Sequence, residues 1–123
     1  MIHLDTSALV DALTGKKRSA PRLREFLEGA ERIHLSTLVL FEWRRGPRRP
    51  NEIEDQEDLF PADQSVVFGP RESLLAAGLY RKVKRPRGRE MDIAIAACAI
   101  VNDAKLWTLN RDDFKDIPGL KLV

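Results

Sequence analysis

Apolar and polar positions alternate along the chain in short blocks whose period shifts between that of a strand and that of a helix. Ile2, His3 and Leu4 form a short apolar run, Asp5, Thr6 and Ser7 supply N-cap residues, and Ala8, Leu9, Val10 and Leu13 follow at helical spacing. A buried strand, a turn and a helix are expected there. Leu23, Phe26 and Leu27 mark a second helix that Gly29 ends, and Ile33, His34 and Leu35 a second strand. Ser36 or Thr37 caps a third helix through Trp43, which weakens at Gly46 and Pro47. The polar stretch 50–61 reads as a loop or an exposed helix. Val66, Val67 and Phe68 read as a third strand, punctuated by Gly69 and Pro70. Leu74, Leu75, Ala77, Leu79 and Tyr80 belong to a further helix. Residues 91–101 are apolar nearly all round, the mark of a helix at the centre of a domain. Leu106, Trp107 and Thr108 make a fourth strand, and residues 120–123 a candidate fifth.

Strands alternating with helices imply an α/β domain, a mainly parallel sheet of four to five strands with helices on both faces. Ligands in such folds gather beyond the carboxyl ends of the strands, so chemistry is sought just after Leu4, Leu35, Phe68 and Thr108. With 123 residues, 43% hydrophobic and 33% charged, the chain has the size and balance of one globular domain over residues 1–123. No apolar run approaches the roughly 20 residues of a membrane span, and the N-terminus carries no basic-then-apolar secretion segment. A soluble, cytoplasmic protein is expected. The single cysteine, Cys98, excludes an internal disulfide framework and reads as a buried structural thiol.

The formal charge of +2 conceals clusters: Lys16 to Arg18, Arg44 to Arg49, and Arg81 to Arg89, opposed by acids between Glu52 and Asp58. Each run is, alone, a solvated face. Around a common site they would hold a polyanion by its phosphates.

Three carboxylates stand out. Asp5 follows the first strand directly, where an N-cap role is equally natural. Glu42 lies in register with Leu35, Leu38 and Val39, on a stripe that should face the core. Asp92 opens the most apolar helix, in line with Ile95, Ala96 and Ala99, where the helix dipole also favours an acid. Two carboxylates about 4 Å apart repel by roughly 4 kcal/mol at an effective dielectric of 20, so a buried acidic cluster needs protons or a cation. Oxygen donors without a cysteine cluster or a histidine pair suit a hard cation, Mg²⁺ or Mn²⁺. The segment after the fourth strand, including Asn110, Asp112 and Asp113, brings further oxygens to the same edge, or simply an Asx turn.

Other chemistries lack parts. None of the seven glycines forms a dinucleotide fingerprint or a P-loop. His3 and His34 sit in or beside buried strands, where hydrogen-bonded structural histidines are expected.

Four pieces in order, LDTSALV with Asp5, STLVLFEWRRG with Glu42, REMDIAIAACAI with Asp92, and LWTLNRDDFKDIPGLKLV, make a sequence that resembles the PIN-domain ribonucleases, most closely the VapC toxins of toxin–antitoxin pairs. The resemblance covers essentially the whole chain. It implies a PIN-like three-layer sandwich and an Mg²⁺-dependent endoribonuclease that cleaves RNA phosphodiesters by metal-activated water. Asp5, Glu42 and Asp92 would form the pocket, completed by Asn110 or Asp113. Asp5 and Asp92 would hold the metal directly, and Glu42 a second ion or a coordinated water. Asn110 stands where many relatives carry a fourth aspartate, so it keeps an oxygen but not the charge. The resemblance also implies a homodimer silenced by a small VapB-type antitoxin, for which Trp43, Phe60 and Tyr80 are candidate contacts. Because an acidic pocket repels RNA, Arg85, Arg87 and Arg89, close in sequence to Asp92, are expected to hold phosphates. A catalytically weak binding module, or a PIN nuclease of RNA or DNA processing without an antitoxin, would fit the same residues.

Overall fold

The structure, a computed structural model, describes residues 1–123. Four strands, β1 (Ile2–Leu4), β2 (Ile33–His34), β3 (Lys105–Trp107) and β4 (Lys121–Leu122), form one sheet in the order β2-β1-β3-β4, every pair parallel. Six helices connect them: α1 (Thr6–Leu13), α2 (Ala20–Glu28), α3 (Thr37–Arg45), α4 (Pro50–Leu59), α5 (Pro70–Lys82) and α6 (Glu90–Val101). Ile2, His3 and Leu4 point alternately to opposite faces of the sheet yet are all buried, so both faces are covered. This is the expected α/β sandwich, with β1 in its interior.

The core explains the order of elements. Leu4, Leu9, Val39, Trp43, Ile93, Ile95, Leu106 and Phe114 are fully buried and belong to one cluster. α6, whose Ile93 and Ala96 to Ala99 are all buried, packs on α5, α3 and β3. Cys98 lies inside this helix, its thiol pushed up to about 12 by burial. No helix is long and apolar enough to cross a membrane.

Two local expectations change, and two left open are resolved. Residues 66–68 make only a single parallel bridge, Ser36 to Val66, because Val67 is solvent-exposed and the next N–H, of Phe68, donates to the Thr37 hydroxyl instead of a backbone carbonyl. Residues 50–59 are a helix. Pro50 sits at its first turn, Glu52 accepts from the Arg49 N–H at 2.7 Å, and the buried Gln56 donates to the Phe60 carbonyl and accepts from Arg44. That polar anchor lets a sequence with few apolar residues dock. Trp43 and Phe60 are buried in the core, and Tyr80 packs against it half-buried, so the first two offer no partner surface. Of the two proposed caps of α3, Ser36 serves: its Oγ accepts from Val39 N.

Candidate active site

β1 ends at Leu4, and Asp5 begins the turn into α1. Its backbone N–H donates to the Trp107 carbonyl, which ties the turn to the end of β3. The side chain makes no cap bond to α1. Oδ2 instead accepts from Ser7 Oγ and from Thr108 Oγ1, both at 2.8 Å. Ser7 Oγ also accepts from Leu109 N, and Thr108 Oγ1 from Asn110 N. A hydroxyl lattice thus fixes the 4% exposed Asp5 carboxylate to both central strands.

Glu42, on the last turns of α3, is only partly buried, at the rim of the core stripe that its spacing predicts. Thr6 Oγ1 donates to Glu42 Oε1 at 2.6 Å, and Arg45 approaches Oε2 at 3.5 Å. Asp92, in the first turn of α6, is partly buried, and its carboxyl is pushed up to about 6. Desolvation is the main cause, followed by the charges of Asp5, Asp113 and Glu42, with Arg89 opposing them. Asp92 therefore reports a local excess of negative charge.

Asp5, Glu42, Asp92 and Asn110 line one open cleft of about 700 Å³ at the carboxyl edge of the sheet. Asp113 sits just outside it, exposed on the single 3₁₀ turn Arg111–Asp113 that Asn110 precedes. The bridge at Val66 brings nothing to this cleft, so the end of the 66–68 segment holds none of the site.

Sequence reading passed over several lining residues. Thr6 and Ser7 look like cap residues and act as hydroxyl donors to the acids. Asp11 adds a fourth carboxylate to the lining and accepts from Ser19 Oγ. Its signal was the polar spacing Ser7, Asp11, Thr14 along an otherwise apolar α1. Lys16 and Arg18 line the same cleft, whereas Arg85, Arg87 and Arg89 do not. Arg89 is taken up elsewhere: its guanidinium grips both oxygens of Asp116, at 2.6 and 3.0 Å, and donates to the carbonyls of Lys84 and Asp113. Arg85 and Arg87 are exposed on the loop before α6. His3 departs from the hydrogen-bonded state expected of it. It is buried with neither ring nitrogen partnered, and desolvation, with His34 and the N-terminal charge, lowers its pKa to about 4.

The donor set fits a hard divalent cation: all oxygen, acids that repel one another, and only Glu42 matched by a cationic side chain. As the side chains stand, no three acids converge closely enough to share an ion. The hydroxyl bonds of Asp5 and Glu42 would be shared with the ion or given up as the acids draw in.

An acid-lined cleft at the carboxyl edge of a parallel sheet, served by β1, α3, α6 and the turn after β3, matches one family across its length. Residues 2–120 match the PIN domain family, and the chain belongs to it. Ribonuclease VapC19 of Mycobacterium tuberculosis is 34% identical over 120 residues, which cover 96% of this chain and 95% of that protein. Among solved structures, a chain of VapBC2 from Rickettsia felis, bound to a DNA fragment from their promoter, superposes with a TM-score of 0.75 at 23% identity, covering 100% of this chain and 98% of that one. A chain of FitAcB from Neisseria gonorrhoeae gives 0.73 at 17% identity, covering 100% and 97%. Identities this low establish a shared fold.

Proposed function

We propose that the protein is a divalent-metal-dependent endoribonuclease, the toxin of a toxin–antitoxin pair, working as a homodimer and restrained by a small VapB-type antitoxin. One observation carries this reading: four separate elements deliver Asp5, Glu42, Asp92 and Asn110 to one cleft. Kinship with a ribonuclease over nearly the whole chain supports the chemistry, and VapBC complexes among the structural neighbours support the partner.

Asp5 and Asp92 would hold Mg²⁺, or Mn²⁺, with Glu42 and either Asn110 or Asp113 completing the donors. A bound ion would offset charge on the phosphodiester oxygens and acidify a coordinated water. The chain's own groups do the positioning. Ser7 and Thr108 hold Asp5 in the orientation from which it would draw in toward an ion. Glu42, held through Thr6, would bind a second ion or a coordinated water. Asp92 must be ionised to act as a ligand, so proton and cation would compete for a carboxyl that burial and its acidic neighbours raise to about 6 without metal. Lys16 and Arg18 in the lining attract phosphates that the acids would otherwise repel.

The test is RNA cleavage with Mg²⁺ by wild type, Asp5→Asn and Asp92→Asn. Each amide keeps the shape and lowers the rate by more than about a hundredfold, with unchanged circular dichroism. Cleavage at the wild-type rate by either variant rejects the reading.

A further inference from the structure

The lining of the acidic cleft continues past the end of α1 into a tight turn, residues 14–18, where Gly15 and Lys17 both adopt left-handed backbone, at φ of 58° and 52°. The turn divides its cations. Lys16 and Arg18 line the acidic cleft, while Lys17 lines a second depression of about 710 Å³. Thr14 and Gly15 line both, so this turn alone separates them.

Pro47 is the one apolar side chain lining the second depression. Arg48 and Arg49, from the connection between α3 and α4, join Lys17 there, and the one acid, Glu52, is engaged by the Arg49 N–H. Lys17, Arg48 and Arg49 have no ion-pair partner, whereas Arg44 and Arg45 just before them pair with Glu57 and Glu42. Arg48 is also held in place. Its guanidinium lies 4.2 Å from the centre of the Trp43 ring, and a Cβ at Gly46 would come within 2.9 Å of it. Trp43 is fully buried, so the stack fixes Arg48 to the rigid core.

We infer that this depression is a second binding site, which takes the backbone phosphates of the single-stranded RNA cut in the acidic cleft, the strand crossing between the two over Gly15. The inference rests on the ribonuclease reading above. Gly15 presents no side chain, and open space surrounds the place of its Cβ. Guanidinium forks match phosphate oxygens in pairs, while a wall whose one apolar side chain is Pro47 gives an amphipathic helix little to bury. Contacts of this kind give affinity and register without base preference.

The experiment compares Lys17→Glu/Arg49→Glu with its parent, both carrying Asp92→Asn so that RNA stays intact. Both side chains are exposed, and neither belongs to the acidic site. A fluorescent unstructured RNA of about 12 nucleotides, within the roughly 4–16 that single-strand grooves contact, is titrated across a salt series. The double variant binds about tenfold more weakly, and its log–log salt slope is shallower by about 1.4, since each lost contact removes roughly 0.7. An RNA of about 4 nucleotides, confined to the acidic cleft, shows no difference. Equal affinity and slope for the longer RNA overturn the site. So does loss of antitoxin co-purification by the double variant with RNA binding unchanged, which would assign the groove to the protein partner. If the protein with Asp92 intact cleaves no RNA while the salt slope still depends on Lys17 and Arg49, the ribonuclease reading falls and the phosphate site stands.

Discussion

Thr6 and Glu42, 36 positions apart, meet side chain to side chain at 2.6 Å, the hydroxyl donating to one carboxylate oxygen. The bond crosses from the first turn of α1 to the last turns of α3, and so holds Glu42 toward the acidic cleft against the pull of Arg45. Thr6→Val removes the donor and keeps the shape. A hydrogen bond to a charged group is worth about 1.5–3 kcal/mol, so the melting temperature should fall by roughly 5–15 °C, and cleavage by the folded protein about tenfold or more. An unchanged rate would show that Glu42 needs no orienting partner.

Asp92 makes the metal-free protein pH-sensitive in an unusual direction. Its pKa rises from the ordinary 3.8 to about 6 on folding, so the folded state holds a proton more tightly than the unfolded one. The resulting stability is fully present below about pH 4 and is lost as pH rises through about 6. Asp92→Asn should therefore be more stable than wild type at pH 7.5 without metal, by about 1–2 kcal/mol after allowance for partial exposure, and gain nothing at pH 4. Mg²⁺ should raise the melting temperature of wild type more than that of the variant. A variant less stable than wild type at pH 7.5 would refute the charge excess around Asp92.

His3 works in the opposite sense. Its pKa falls to about 4 on folding, from 6.5, so the unfolded chain takes up the proton first. Stability is lost as pH drops from about 6.5 to about 4, by up to about 3 kcal/mol. His3→Leu, which leaves no orphaned ring nitrogens, should show a shallower loss in urea titrations between pH 7.5 and 4.5. Parallel curves for the two proteins would mean that a polar partner reaches the ring in solution.

Arg89 separates stability from RNA binding. Its fork joins the loop before α6 to Asp116 and to the carbonyl of Asp113. Arg89→Ala should cost about 1–2 kcal/mol in chemical denaturation, and Arg89→Lys should recover little because a single ammonium cannot match the paired geometry. RNA affinity per folded molecule should hold. A loss of affinity without a loss of stability would restore Arg89 as a phosphate contact, beside Arg85 and Arg87.

The sheet and most helices were legible because burial imposes a pattern: Ile2 to Leu4, Leu106 and Trp107, and the near-continuous apolar run of α6 admit few alternatives. The helix at Pro50–Leu59 was ambiguous because its anchor is Gln56, a polar residue whose burial depends on Arg44 and the Phe60 carbonyl. Residues 66–68 have the composition of a strand, yet tertiary context reduces them to one bridge. Trp43 and Phe60 looked available because neither lies in a long apolar run, and contacts between distant segments bury both. At the site, Glu42 and Asp92 could be named from their positions on apolar stripes, and Asp5 from its place just after the first strand. The hydroxyl of Thr108 could not, since only the pairing of β1 with β3 brings it to Asp5, and Ser7, two residues on, reads as a helix cap. Nor does sequence proximity predict which cations face the cleft: Arg89 is three residues from Asp92 and is consumed by Asp116, while Lys16 and Arg18 arrive from the opposite end of α1.

The interior position of β1 has a consequence for synthesis. Asp5 is synthesised 103 positions before Thr108, one of the two hydroxyls that steady it, and β3 must pair beside β1 before the two can meet. A nascent chain that has not yet released residues 105–108 carries Asp5, Glu42 and Asp92 without the strand that closes the cleft around them. Under the nuclease reading, such a chain is harmless to the RNA of the ribosome that is making it.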